Sequence, residues 1–191
     1  MDGGGQGGMG RPDAGDAQAD GGPASCGTMR PNLDGITHVD GITFDADGTL
    51  YFTQVAGMDG YVGRLRPTTG KVDLVKMPTS GSRPYGLVID SKGRPWFDLF
   101  GTNKIGTIDP QTLELKEFPL PHERARPRRI AITSDDVVWY VDYSRGFLGR
   151  LDPRTGEVKE WANPGGATSL PYAMAVDDLR TGCTFLRSIV S

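Results

Sequence analysis

Pro84–Pro121 reads PYGLVIDSKGRPWFDLFGTNKIGTIDPQTLELKEFPLP. Four short apolar runs stand in it: Leu87–Ile89, Trp96–Phe97, Ile105–Ile108 and Leu115–Phe118. Turn-forming residues separate them, first Asp90-Ser91-Lys92-Gly93, then Gly101-Thr102-Asn103, then Asp109-Pro110-Gln111-Thr112. Runs of this length joined by such turns predict four strands in an antiparallel meander.

The same phrase recurs on both sides. The preceding copy begins GITFDADGTLYFTQ at Gly41 and continues YVGRLRPTTGKVDLVKMP to Pro78. The following copy runs RRIAITSDDVVWYVDYSRGFLGRLDPRTGEVKEW from Arg128 to Trp161. Ile42, Leu87, Ile130 and Met174 are equivalent, at spacings of 45, 43 and 44; Gly63, Gly106 and Gly149 are spaced by 43 and 43. Tyr51, Trp96 and Trp139 correspond in the same way. A period of about 40–45 residues with four strands per unit marks propeller blades. The expected fold is therefore all-β, a partial, open β-propeller of about three four-stranded antiparallel blades plus part-blades, with a disordered N-terminus. The blades span about 41–78, 84–121 and 128–161, with a fourth starting at 171.

Within each blade an innermost strand A is predicted at Gly41–Asp45, Gly86–Asp90 and Arg129–Thr133, and strand B at Thr49–Thr53, Pro95–Leu99 and Val137–Val141. Strand C follows at Tyr61–Arg66, Lys104–Ile108 and Phe147–Leu151. Strand D closes the unit at Val72–Lys76, Leu115–Phe118 and Val158–Trp161. Asp34–Val39 reads either as the outer strand of a preceding blade or as a lead-in. Tyr51, Trp96 and Trp139 are expected to fill the packing between blades. Asp45, Asp90 and Asp177 are expected to make Asx-turns.

The ends read differently. Residues 1–34 are Gly, Asp and Ala without apolar periodicity, too little to offset chain entropy, and disorder is expected. The propeller is expected over 35–178. After Asp178 the repeat gives way to LRTGCTFLRSIVS, and 179–191 is expected to be irregular or altered. An arc of this kind presents sheet faces and strand edges at both ends, which invite further blades or self-association. No apolar core of a secretion signal precedes the tail, so the compartment is open; a start further upstream would favour a periplasmic or extracellular address.

Composition narrows the classes. A net charge of −3 with both signs interspersed offers no basic field for nucleic acid, and no apolar run is long enough for a membrane span. Cys26 and Cys183 are the two cysteines, with no CxxC. Chemistry is expected at the axis. Strands alternate in direction, so residues just before A and those closing B share one face of the propeller and ring a central funnel. The positions before A are Asp40, Tyr85, Arg128 and Tyr172; those closing B are Gln54, Leu99 and Asp142. Tyr85, Arg128, Asp142 and Tyr172 are the pocket candidates for a small-molecule ligand. Arg124, Arg126, Arg128 and Arg129 form a basic cluster, read either as a solvated loop or as a carboxylate or other anion site with Arg128 pointing in.

The phrases PYGLVID, GTNKIGTIDP, LKEFPLP and LGRLDPRTGEVKEW resemble the blades of the virginiamycin B (streptogramin) lyase family over residues 41–177. The gluconolactonase/regucalcin propellers are similar more distantly. The resemblance implies a propeller of about seven blades, of which this chain matches an N-terminal part. It also implies elimination opening of a cyclic-peptide lactone, a carbon–oxygen lyase reaction, with Mg2+ as helper. The family's base is a His in a P-H-[GA]-I phrase; here those positions hold Tyr85, Arg128 and Tyr172. The Glu of its WF-T-E phrase is replaced by Gln54, Leu99 and Asp142. His38 and His122 match neither phrase, so no catalytic residue and no metal ligand is assigned. The chain alone is expected to lack the activity. The alternative is a non-catalytic binding or sensing propeller using the same funnel.

Overall fold

The computed structural model of the protein describes residues 34–177 and 185–189. Three four-stranded antiparallel sheets follow one another. The first holds β1 (Val39–Phe44), β2 (Leu50–Ala56), β3 (Asp59–Arg66) and β4 (Lys71–Lys76). The second holds β5 (Pro84–Ile89), β6 (Pro95–Leu99), β7 (Lys104–Ile108) and β8 (Leu115–Pro119). The third holds β9 (Pro127–Ile132), β10 (Val138–Asp142), β11 (Phe147–Leu151) and β12 (Val158–Ala162). Strand order equals chain order in each, and the first strands touch in sequence, β1 to β5 to β9, so the sheets fan as blades of a partial propeller. Asp45 and Asp90 accept the backbone N–H groups of the turns that follow them, as Asx-turns do.

The core lies between blades. Tyr51 and Val62 of the first blade pack with Phe97, Leu99 and Ile108 of the second. Trp96, Ile105 and Phe118 of the second pack with Val138, Tyr140 and Leu151 of the third. The repeated glycine has a steric cause. Gly63, Gly106 and Gly149 stand directly across from Phe52, Phe97 and Tyr140 in the neighbouring strand. Each ring lies over its glycine, and a Cβ on Gly106 would sit 2.3 Å from a Phe97 ring carbon.

Several expectations need correction. The first strand of each blade starts two residues before the predicted A strand, at Val39, Pro84 and Pro127. Of the two readings of 34–39 the lead-in holds for residues 34–38, a turn and irregular backbone, while Val39 opens β1. Trp139 is half-buried, unlike Tyr51 and Trp96, which are 1 % exposed. It stacks at 5.8 Å on Trp161, itself 45 % exposed, because no full blade among the described residues covers that face. Within 179–191, expected to be irregular, Phe185–Ile189 forms β14, antiparallel to β13 (Ala173–Asp177). β13 packs on β9, and its free edge offers backbone groups that a second strand, begun and ended by the strand formers Phe185 and Ile189, can satisfy. The tail to residue 33, with Cys26, and Cys183 lie outside the described residues.

Gly106→Ala should destabilise the protein by about 1–3 kcal/mol, the usual cost of overpacking. Adding Phe97→Leu should recover part of that loss, because the clash is with the ring. Urea unfolding of the three variants checks this; a Gly106→Ala variant as stable as wild type would refute the ring-over-glycine account.

Candidate functional site

Three blades share one irregularity at the axial end. The pairing of the first two strands slips between Val39 and Gly41, between Pro84 and Leu87, and between Val141 and Asp142. Gly41 pairs with Thr53 and Val39 with Gln54, which leaves Asp40 as an extra residue. Arg129 pairs with Val141 and Pro127 with Asp142, which leaves Arg128 as the extra one. Tyr85 lies inside the equivalent slip of the second blade. A bulge re-aims the side chain of its extra residue, and here it turns the positions before strand A toward the rim.

At that rim an arginine stands among four rings. The Arg128 guanidinium carbon lies 5.3 Å from the Tyr85 ring centre, 5.2 Å from Phe100, 4.7 Å from Tyr143 and 4.3 Å from Tyr172. Arg129 adds a second guanidinium, 4.5 Å from Tyr85 and 5.8 Å from Tyr172. The two phenol oxygens are 3.3 Å apart. Arg128 Nε is buried without a hydrogen-bond partner. Cation–π contact is worth about 0.5–1 kcal/mol per pair at exposed sites and more when desolvated, enough to order the guanidinium but not to neutralise it.

The phenols respond to the charge. Hydrogen bonding with Tyr85, then the Arg128 guanidinium beside it, brings Tyr172 down to about 8. Tyr85 moves up, chiefly because it shares that hydrogen bond and also because it is part-buried.

Beneath this rim lies a buried carboxyl, Asp98. Its Oδ2 accepts the Gly86 N–H at 2.9 Å, and Oδ1 has no partner. Burial holds it well above the usual carboxylate range, outweighing the Gly86 N–H and the nearby Arg129 and Arg128. In the first blade Thr53 does the corresponding work without a charge. Its hydroxyl accepts the Gly41 N–H at 2.8 Å and donates to the Tyr85 carbonyl at 2.9 Å, tying blade to blade. The third blade has Arg129 opposite Val141 there and lacks the device.

Of the four pocket candidates, the structure brings Tyr85, Arg128 and Tyr172 together and directs Asp142 elsewhere. Asp142 is fully buried, accepting the N–H groups of Arg126, Ser144 and Arg145 at 3.0, 3.1 and 3.3 Å. Its other oxygen pairs with Arg145 at 3.1 Å. A buried carboxylate needs such partners, so Asp142 anchors its loop and does not face a ligand. Gln54 is likewise committed, donating to the Gly35 carbonyl at 2.8 Å. Phe100 and Tyr143, one residue beyond the predicted positions, complete the cage in place of Leu99 and Asp142. The arginine cluster divides: Arg128 and Arg129 reach the rim, while Arg124 and Arg126 line a separate depression of about 660 Å3 with His122 and Arg145. His38 is exposed, 3.5 Å from Asp40. Among the described residues no three acidic, histidine or cysteine side chains converge as a set of metal ligands. None of the described helices is long and apolar enough to cross a membrane.

A sequence model of the Virginiamycin B lyase family matches residues 37–136. No curated protein matches the chain. Among solved structures, the selenomethionine-substituted virginiamycin B lyase of Staphylococcus aureus is 27% identical with a TM-score of 0.65. The match covers 71% of this chain and 44% of that one. A streptogramin B lyase is 31% identical with a TM-score of 0.65, over 72% of this chain and 44% of its own. A catalytically inactive variant of the Staphylococcus aureus enzyme, solved with quinupristin, is 27% identical with a TM-score of 0.64, over 71% and 44%. The chain therefore spans less than half the length of these relatives.

The Asp98 shift fixes a pH dependence. Unfolded, the carboxyl titrates near its usual 3.8; folded, it holds its proton well above that. The folded state thus binds more protons than the unfolded state, so stability is complete below about pH 4 and falls as pH rises from there toward the folded value. Asp98→Asn removes the loss. Its melting temperature should match wild type near pH 4 and exceed it increasingly toward pH 8; a constant difference across that range would refute the assignment.

Proposed function

This chain belongs to the virginiamycin B lyase family, and from that premise we propose that its axial rim binds a cyclic-peptide lactone of the kind that the family opens by elimination. The observation that carries the reading is the convergence of Tyr85, Arg128 and Tyr172 with Phe100 and Tyr143 on one rim. Aromatic walls around a few oriented polar groups are what a small ligand's apolar body and carbonyls require. In the elimination, a base removes the proton on the carbon next to the one bearing the ester oxygen. That electron pair becomes the C=C bond, the carbon–oxygen bond breaks, and its pair leaves on the carboxylate. The rim residues contribute orientation of the ester and positive charge where the leaving oxygen develops its own.

His38 pairs with Asp40 of the first blade and His122 lines the separate depression, so neither joins the Arg128 cluster, and the positions that close strand B are tied up by Gly35, by burial and by Arg145. These observations favour binding without turnover for the rim as this chain builds it, the second reading. Mg2+ enters no step here; among the described residues no three acidic, histidine or cysteine side chains converge.

Quinupristin titrated into the chain should bind, and Arg128→Ala or Tyr172→Ala should weaken it about tenfold, the loss of one good contact to a charged or aromatic group. Liquid chromatography of the same mixture with fragmentation mass spectrometry should show the lactone intact, because the elimination product is an isomer of the same mass and differs only in retention and fragments. Opening without added water would move the conclusion from binding to catalysis. Failure of the folded chain to bind quinupristin would overturn the lactone reading.

A further inference from the structure

Two guanidiniums side by side repel, and natural sites place a carboxylate between them. Here Arg128 and Arg129 both approach the rings of Tyr85 and Tyr172, and neither forms an ion pair with a described carboxylate. Asp98 is the acid whose field reaches both, and its burial favours the neutral form. Rings supply quadrupole but no net charge. The rim therefore carries two positive charges, an unpartnered and buried Arg128 Nε, and apolar ring surface from Phe100 and Tyr143. A guanidinium fork matches a carboxylate in two parallel hydrogen bonds, and the rings suit a flat apolar body attached to it.

We propose that Arg128 and Arg129 form a binding site for a small organic carboxylate with an aromatic body. The inference deepens the preceding reading, in which the bond that breaks sets free a carboxylate at this rim, but its observations stand without that reaction. Tyr172 competes for the same charge: once its phenol ionises, the phenolate occupies the field that the ligand needs. The titratable and charged groups facing Tyr172 are Tyr85 from β5 and Arg128 and Arg129 from β9, while Tyr143 after β10 and Asp98 from β6 act on the arginines.

Calorimetry on the 191-residue chain at pH 7, with benzoate and with inorganic phosphate as probes, tests this. Benzoate should bind saturably and more tightly than phosphate. Arg129→Gln should weaken it about tenfold or more, the usual effect of losing a hydrogen bond to a charged group. Arg124→Gln, on the separate depression, should leave it unchanged. Circular dichroism confirms that each variant is folded, and Arg129→Lys, which keeps the charge, should retain part of the affinity. Between pH 7 and 9 benzoate affinity should fall in wild type and stay level in Tyr172→Phe, as the phenol titrates at about 8. No benzoate binding, phosphate binding as tight as benzoate, or loss with Arg124→Gln but not Arg129→Gln would each overturn the proposal. Benzoate failing while quinupristin binds removes this inference and leaves the lactone reading; the opposite result leaves the carboxylate site and removes the lactone.

Discussion

A four-stranded sheet has two faces and can bury neither by itself. Every other feature of this molecule follows from how one blade covers the next. Tyr51 and Trp96 reach forward from strand B onto the following sheet, and Phe97 and Tyr140 on those sheets reach back. The back-facing rings must lie flat to leave room, and a glycine in the adjacent strand lets them. Losing such a buried ring costs about 3–5 kcal/mol, a large fraction of a domain's total stability. The packing is therefore sharply specified where a neighbour exists. At the arc's first face, where none is described, Ile42 and Phe44 are 60 % and 61 % exposed although their counterparts in later blades are covered.

That packing also fixes where function can sit. The first strands of successive blades touch one another, so their axial ends are brought together by the same contacts that bury the core. A bulge at this end costs a ladder hydrogen bond but turns the extra residue out of the sheet plane. The slip occurs in all three full blades, yet the residues differ: Asp40 meets a solvent-exposed histidine, Tyr85 meets a second phenol, and Arg128 enters a ring of aromatics. Scaffold and chemistry are thus separable within one repeat.

The sequence shows the blades well because period-two apolar runs and Asp, Pro and Gly turns are local signals. It shows Tyr85, Arg128 and Tyr172 because strand polarity alone places the residues before strand A at the axis. It hides Phe100 and Tyr143, which lie just past the predicted end of strand B; the aromatic recurring at that offset in two blades was the available signal. It misplaces Asp142, since that carboxylate's partners are mostly backbone amides, which carry no sequence pattern. It passes over Asp98 for a related reason: the Gly86 N–H that holds it is a backbone group, and its burial arises only when the next blade closes over it.

The buried Asp98 and the half-buried arginines are one arrangement seen from two depths. In the first blade a threonine hydroxyl fills the inner position, satisfies the glycine N–H and passes a hydrogen bond on to the next blade, with no charge involved. The second blade has a carboxyl there, and the third blade puts Arg129 in the place of the glycine. An ionised Asp98 would offset one guanidinium, but removing its charge from water costs more than the arginines and the Gly86 N–H return, and the balance favours the neutral form. Neutralisation is thereby withheld from inside the protein. Positive charge must then be balanced from the open side of the rim, by solvent ions, by the Tyr172 phenolate at high pH, or by a ligand that brings its own negative charge.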